Sequence, residues 1–146
     1  MSGKSGEPAH VALVRKAHDA AGAEGPQILM DRYEEWFSPD FEWHPVLLES
    51  LDGRTFRGKE GFGEYWREFL ETFGDVRFLN GVAEAVDERR VLLHGSVAAT
   101  GASSGAPIDR EVVYVFEVED GLIARGRSFF SREDAVGYLA EDRVEG

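Results

Sequence analysis

The sequence predicts an α+β domain in which three N-terminal helices pack against a strongly bent, mostly antiparallel sheet. Apolar residues recur at helical spacing only before about Phe73 and again after Ser131. Between these limits, extended runs at about 76–86, 90–100, 108–118 and 122–130 are bounded by turn residues. A long meander closed by a short helix, in a chain of 146 residues, points to a curved sheet wrapped around a pocket.

Residues 1–8 are polar and Gly-rich and are expected to fray, which leaves a single domain over 9–146. From Ala9 onward, Val11, Val14, His18 and Ala21 fall three or four apart, the spacing of a first helix, and Gly22 is expected to end it. Pro26 suits a helix start, and Leu29, Tyr33, Trp36 and Phe37 form the buried face of a second helix that Ser38-Pro39 stops. A short strand follows around FEWHPV. In the third helix Phe62, Tyr65, Trp66, Phe69, Leu70 and Phe73 keep to one face, so the helix must cover something apolar. In the run 108–118, Val112, Tyr114, Phe116 and Val118 alternate with Glu111, Val113, Val115 and Glu117, which turns the first set inward. Asp120-Gly121 favours a tight hairpin. Ser131 and Asp134 have capping-box spacing and start the last helix. No repeat or low-complexity linker marks a domain boundary.

Composition narrows the functional classes. Apolar residues make up 42% of the chain, with ten Phe and three Trp, so a large apolar interior or cavity is within reach. A net charge of −12 argues against nucleic acid, because a phosphate-binding surface needs clustered Lys and Arg, and it equally disfavours anionic membranes. With no cysteine, neither a disulfide framework nor a thiolate site can form. No run reaches the roughly 18 apolar residues of a membrane span, and MSGKSGEPAH lacks the apolar segment of a signal peptide, so a cytoplasmic protein is expected.

Four segments in this order, WFSPDFEWHP, GRTFRGKEGFGEYWREFLETF, the hairpin TGASSGAP and FEVEDGLIARGRSFFSREDAVGYL, resemble the nuclear transport factor 2-like superfamily. The likeness runs from about Val11 to Leu139 and is nearest to the SnoaL-like polyketide cyclase group and to ketosteroid isomerase. It implies a cone-shaped α+β fold. The reaction stays open, because that scaffold hosts isomerases, cyclases, dehydratases, hydrolases and binding proteins.

Catalysis inside such a cone needs a titratable group in an apolar cavity, and histidine needs the least tuning. His44 precedes Pro45 where, in the resemblance, ketosteroid isomerase carries an Asp-Pro whose aspartate shuttles the proton. That correspondence implies His44 as the base, although the exchange of Asp for His leaves the steroid reaction itself unsupported. The competing reading is a histidine that bonds a neighbouring backbone carbonyl at a strand end. Alternation puts Glu42 on the face of His44, where it could orient the ring, and Trp43 on the other; a slip of one residue inverts this. Tyr114 lies on the inward face as an oxyanion donor, a cavity-lining group or a packed core residue. The resemblance makes His18 comparable to a first-helix tyrosine donor, against the alternative of a satisfied core histidine. His94 shares a strand face with Leu92, Ser96 and Ala98, and the pattern assigns it to neither side.

Tyr33 and Tyr65 fall on helices that line the pocket mouth in similar folds, and Trp43, Phe62, Trp66, Phe116 and Phe129 are the expected apolar walls. Arg127, or Arg125, could bind a carboxylate or enolate. Glu42 and His44 are the only close pair with ligand-like chemistry, so no metal is expected. TGASSGAP lacks the GK[ST] ending of a phosphate loop, Ser103-Ser104 has no His-Asp pattern beside it, and no cofactor is expected. Two readings remain. One is a cofactor-independent acid/base enzyme acting on a small hydrophobic molecule, an isomerase, cyclase or dehydratase. The other is a non-catalytic small-molecule-binding or dimerisation module of the same fold. A homodimer is expected through the outer face of the sheet, where Val113 and Val115 supply apolar surface.

Overall fold

The computed structural model describes residues 7–45, 55–101, 105 and 107–145, with side chains to Glu141. The expectations for residues 1–6 and for the tip of the TGASSGAP hairpin, Ser103-Ser104 included, therefore lie outside the described residues. Among those described, five helices and six strands follow the chain order α1 (Ala9–Glu24), α2 (Gln27–Asp31), α3 (Tyr33–Trp36), β1 (Phe37–His44), β2 (Phe56–Arg57), α4 (Gly58–Thr72), β3 (Phe73–Ala85), β4 (Arg90–Gly101), β5 (Pro107–Glu119), β6 (Leu122–Phe129) and α5 (Arg132–Glu145). The strands form one curved, unclosed sheet in the order β2-β1-β6-β5-β4-β3. Every neighbouring pair is antiparallel except β1 and β6, which run parallel. Period-two patterning carries no strand direction, so that one parallel pair was not visible in the sequence.

α1 buries Val11, Val14, Ala17 and Ala21, and it runs past Gly22 to end at Gly25. The reason is steric. Gly25 takes φ 91, a left-handed conformation suited to glycine, and its N–H reaches the Ala21 carbonyl at 2.8 Å. Gly22 serves packing: a Cβ there would lie 2.8 Å from the Phe78 carbonyl oxygen of β3. The expected second helix is split into α2 and α3 at Arg32, whose φ −116 and ψ 26 leave the helical region. Phe37 already belongs to β1, and Phe73 caps α4 and opens β3. The Asp120-Gly121 turn has positive φ at both residues, 54 and 78, the primed geometry that matches strand twist. The Ser131 hydroxyl accepts from the Asp134 amide at 3.1 Å and starts α5.

The sheet has two different faces. The inner face meets α1 and α4 in one aromatic-rich core that includes Phe41, Trp43, Val91, Leu93, Val112 and Tyr114. The inward set of β5 is as the alternation predicts. On the outer face, α5 packs Ala135 and Leu139 onto Leu92, Val113 and Val115, with Phe129 and Tyr138 at the margin. This removes the ground on which a dimer surface was expected. Val113 is 0% and Val115 5% exposed, because the chain's own last helix covers them.

Candidate functional site

Burial decides which side of β1 meets the cavity. Phe37, Phe41 and Trp43 point inward and are almost fully buried, while Glu42 and His44 share the opposite, outer face. The alternation places Glu42 with His44 and Trp43 opposite them, and it is the Trp43 side that meets the cavity, so His44 does not face it as a base there would have to. Burying each large apolar side chain is worth about 1.5–3 kcal/mol, whereas a carboxylate and an imidazole lose hydration when buried. The aromatic set therefore claims the core.

Gly126 completes this arrangement. It pairs with Trp43 on one side and Phe116 on the other. A Cβ there would lie 2.7 Å from the Phe116 ring and 3.0 Å from the Trp43 ring. Its absence lets the two rings meet across β6, with centroids 6.2 Å apart and planes 13° from parallel.

Between α1, α4 and the inner face lies a cavity of about 60 Å³. Of the candidate site residues, Trp43, Phe62, Trp66, Tyr114, Phe116 and His18 line it. Phe37, Phe78, Leu29 and Ile123 also line it and were not among the expected pocket residues; their apolar character marks core in general and gives no hint of a cavity. Among the described residues, His18 and Tyr114 are its two groups with ordinary acid/base chemistry, their ring centroids 6.3 Å apart. Neither has a hydrogen-bond partner among the described residues. Burial lowers the His18 pKa, with Asp19 opposing, so its ring is neutral at neutral pH. Burial pushes the Tyr114 phenol up, so its hydroxyl stays protonated. Gly81 makes room for the imidazole, since a Cβ on β3 at that point would lie 2.5 Å from His18 Nδ1. The Trp66 indole N–H is also buried with no acceptor.

The other expected site residues fall elsewhere. His44 Nδ1 meets the Thr55 hydroxyl at 3.1 Å and its Nε2 lies 3.5 Å from Glu42. Burial, then the nearby Arg127 charge, lower its pKa against the pull of Glu42. Burial opposes ionisation of Glu42, but Arg57 at 2.9 Å and Arg125 at 3.7 Å outweigh it and hold the carboxyl below its ordinary value. Arg127 sits on the same outer face with its guanidinium 4.8 Å from the Tyr138 ring, and Phe129 packs on Tyr138 at 5.5 Å, so neither reaches the cavity. His94 is also outside, paired with Glu111. Tyr33 and Tyr65 are buried but do not line the cavity. The Tyr33 hydroxyl donates to the Ser38 carbonyl at 2.7 Å, and burial takes its pKa up to about 12. Tyr65 lies among Phe56, Phe62 and Trp66, and burial raises its pKa well above the ordinary phenol value.

Among the described residues, no three His, Cys, Asp or Glu side chains converge as metal ligands, and no helix is long and apolar enough to cross a membrane.

Several solved structures share this fold. An NTF2-like protein of unknown function from Burkholderia pseudomallei K96243 superposes with a TM-score of 0.70 at 17% identity, over 89% of this chain and 96% of that one. A candidate polyketide cyclase from Xanthomonas campestris pv. campestris gives 0.69 at 15% identity, over 88% and 95%. A protein with the ketosteroid isomerase-like fold from Catenulispora acidiphila DSM 44928, solved in complex with trimethylamine, gives 0.65 at 13% identity, over 82% and 85%. No curated protein matches the chain. The SnoaL-like domain family matches residues 14–126, most of the sequence, and this protein belongs to that family.

Proposed function

We propose that the protein is a cofactor-independent acid/base catalyst that acts on one small, largely apolar carbonyl compound in the inner cavity. The observation that carries the reading is that His18 and Tyr114, both without hydrogen-bond partners among the described residues, face the same aromatic-walled space. Neither group is engaged by the protein, so both can hydrogen-bond to a molecule bound in that space. The two groups are in complementary states. The neutral His18 ring can take a proton from the carbon next to the carbonyl, breaking the C–H bond, while the Tyr114 O–H donates to the oxygen on which charge develops. The imidazolium then returns the proton to the same or a neighbouring atom, so that atoms and charge balance without a cofactor.

Size limits the substrate. About 60 Å³ is room for roughly two water molecules at about 30 Å³ each, less than half of the roughly 150 Å³ that takes up benzene and well below the roughly 300 Å³ at which drug-sized ligand sites begin. Trimethylamine, held by the Catenulispora acidiphila protein of the same fold, is a compact molecule on this scale. The binding-module reading draws on the same small volume, and turnover separates the two. For a homodimer, the apolar surface that α5 leaves uncovered is at β3, where Leu79 and Val82 are exposed.

Exchange of α-protons with heavy water, followed by NMR on compact ketones such as acetone, tests the reaction. The wild type is expected to accelerate exchange, His18→Gln to lose about 10²–10⁴-fold of that acceleration, and His44→Gln to retain it. An unchanged rate in His18→Gln, with loss in His44→Gln, would return the base role to His44.

A further inference from the structure

We propose that the inner cavity accepts a compact alkylammonium group, a cation whose charge is carried on methyl carbons. This rests on the reading that the cavity takes up a small molecule, and does not depend on turnover. The walls are mainly rings, including Trp43, Trp66, Phe62, Phe78, Tyr114 and Phe116, and among the described residues no Lys, Arg, Asp or Glu lines the space.

Each ligand class meets this lining differently. An anion finds no positive side chain there, and a chain with net charge −12 repels it on approach. Metal ions and ammonium would lose a tightly held hydration shell and gain no carboxylate in return. A methylated ammonium holds water weakly and fills the volume with the same methyl surface as a neutral hydrocarbon. It also gains the attraction of ring faces for positive charge, which is strongest for tryptophan and grows when water is excluded. Tyr114 and His18, the latter held neutral by burial, line the same space and add no positive charge that would oppose a cation. Apolar walls alone would leave a neutral ligand preferred. Two indoles lining a space of about 60 Å³, in a strongly acidic protein, tip the preference to the cation.

The test compares tetramethylammonium with tert-butanol, a neutral molecule of similar shape, on the intact wild-type chain at low ionic strength. Indole N–H signals in NMR report the site, because Trp43 and Trp66 line the cavity while Trp36, stacked under Arg32 at 4.6 Å, does not. The expected result is that both compounds shift Trp43 and Trp66 but leave Trp36 unmoved, with tetramethylammonium binding about tenfold more tightly. The preference should shrink in Trp66→Leu, with folding checked by thermal melting. If tert-butanol binds equally well or better, the cation preference is overturned and the cavity reading stands. If neither compound moves Trp43 or Trp66, both fail.

Discussion

The two faces of β1 and β6 differ in what their polar groups are doing. On the outer face Glu42, His44, Arg57, Arg125 and Glu117 satisfy one another at 2.9–3.7 Å. On the inner face, one residue away along the same strand, Trp43 opens onto a cavity where His18 and Tyr114 have no partner. Proximity of titratable groups is thus a poor guide to function here. The outer cluster holds more ionisable groups, and its carboxylates are neutralised by the arginines beside them; the buried Nε of Arg127 at its margin has no acceptor. The inner pair is sparse, and neither His18 nor Tyr114 is engaged by a protein group, so both are open to a bound molecule.

The largest expected contrast is between Trp43 and its chain neighbour. Trp43→Ala removes a buried ring that packs on Phe41, Phe62, Tyr65, Tyr114 and Phe116, and should cost about 3–5 kcal/mol in denaturant unfolding. His44→Ala, on the half-buried outer face, should cost under about 1 kcal/mol. Comparable losses would mean that the faces are not so divided.

Gly126→Ala comes next. Its methyl would collide with Phe116 and Trp43, and displacing either ring should destabilise by about 1–3 kcal/mol and shrink the cavity. Weakened binding of small probes alongside a lowered melting temperature would confirm the linkage.

Stability should also fall with acid. His18 and His44 both have folded pKa values below the ordinary histidine value of about 6.5, so the unfolded chain binds protons more readily. Their neutral forms give full stability above about pH 6.5, and that contribution is lost as pH falls through the lowered folded values. Melting temperature followed from neutral to mildly acidic pH should drop, and the drop should be smaller in His18→Gln. No change in slope would show that His18 is not held dehydrated. The smallest effect is expected from Tyr114→Phe, which removes an unpaired hydroxyl. Stability should shift by less than about 1 kcal/mol, while exchange catalysis or probe binding weakens.

Much of this division was legible beforehand. The alternation through β5 assigned Val112, Tyr114 and Phe116 to the cavity side, and the helical face of α4 named Phe62 and Trp66. The pairing of Glu42 with His44 on one face was also readable. The side was not, because a strand pattern gives two faces without saying which is inside. The matching of His-Pro to a catalytic Asp-Pro argued one way, and the greater gain from burying Phe41 and Trp43 decided the other. Gly81 and Gly126 were silent as well: a glycine's role here is the ring it makes room for, and that ring comes from a distant segment. The covering of Val113 and Val115 by α5 needed the docking of the last helix, which periodicity alone does not specify.

Titration of the histidine ring signals by NMR, with and without acetone, tests most directly that the inner face is the site. The account predicts that His18 titrates below about 6.5 and that the ligand shifts its signal and lowers its apparent pKa further by excluding water, while His44 titrates unchanged. A ligand-induced shift at His44 with His18 unmoved would contradict it.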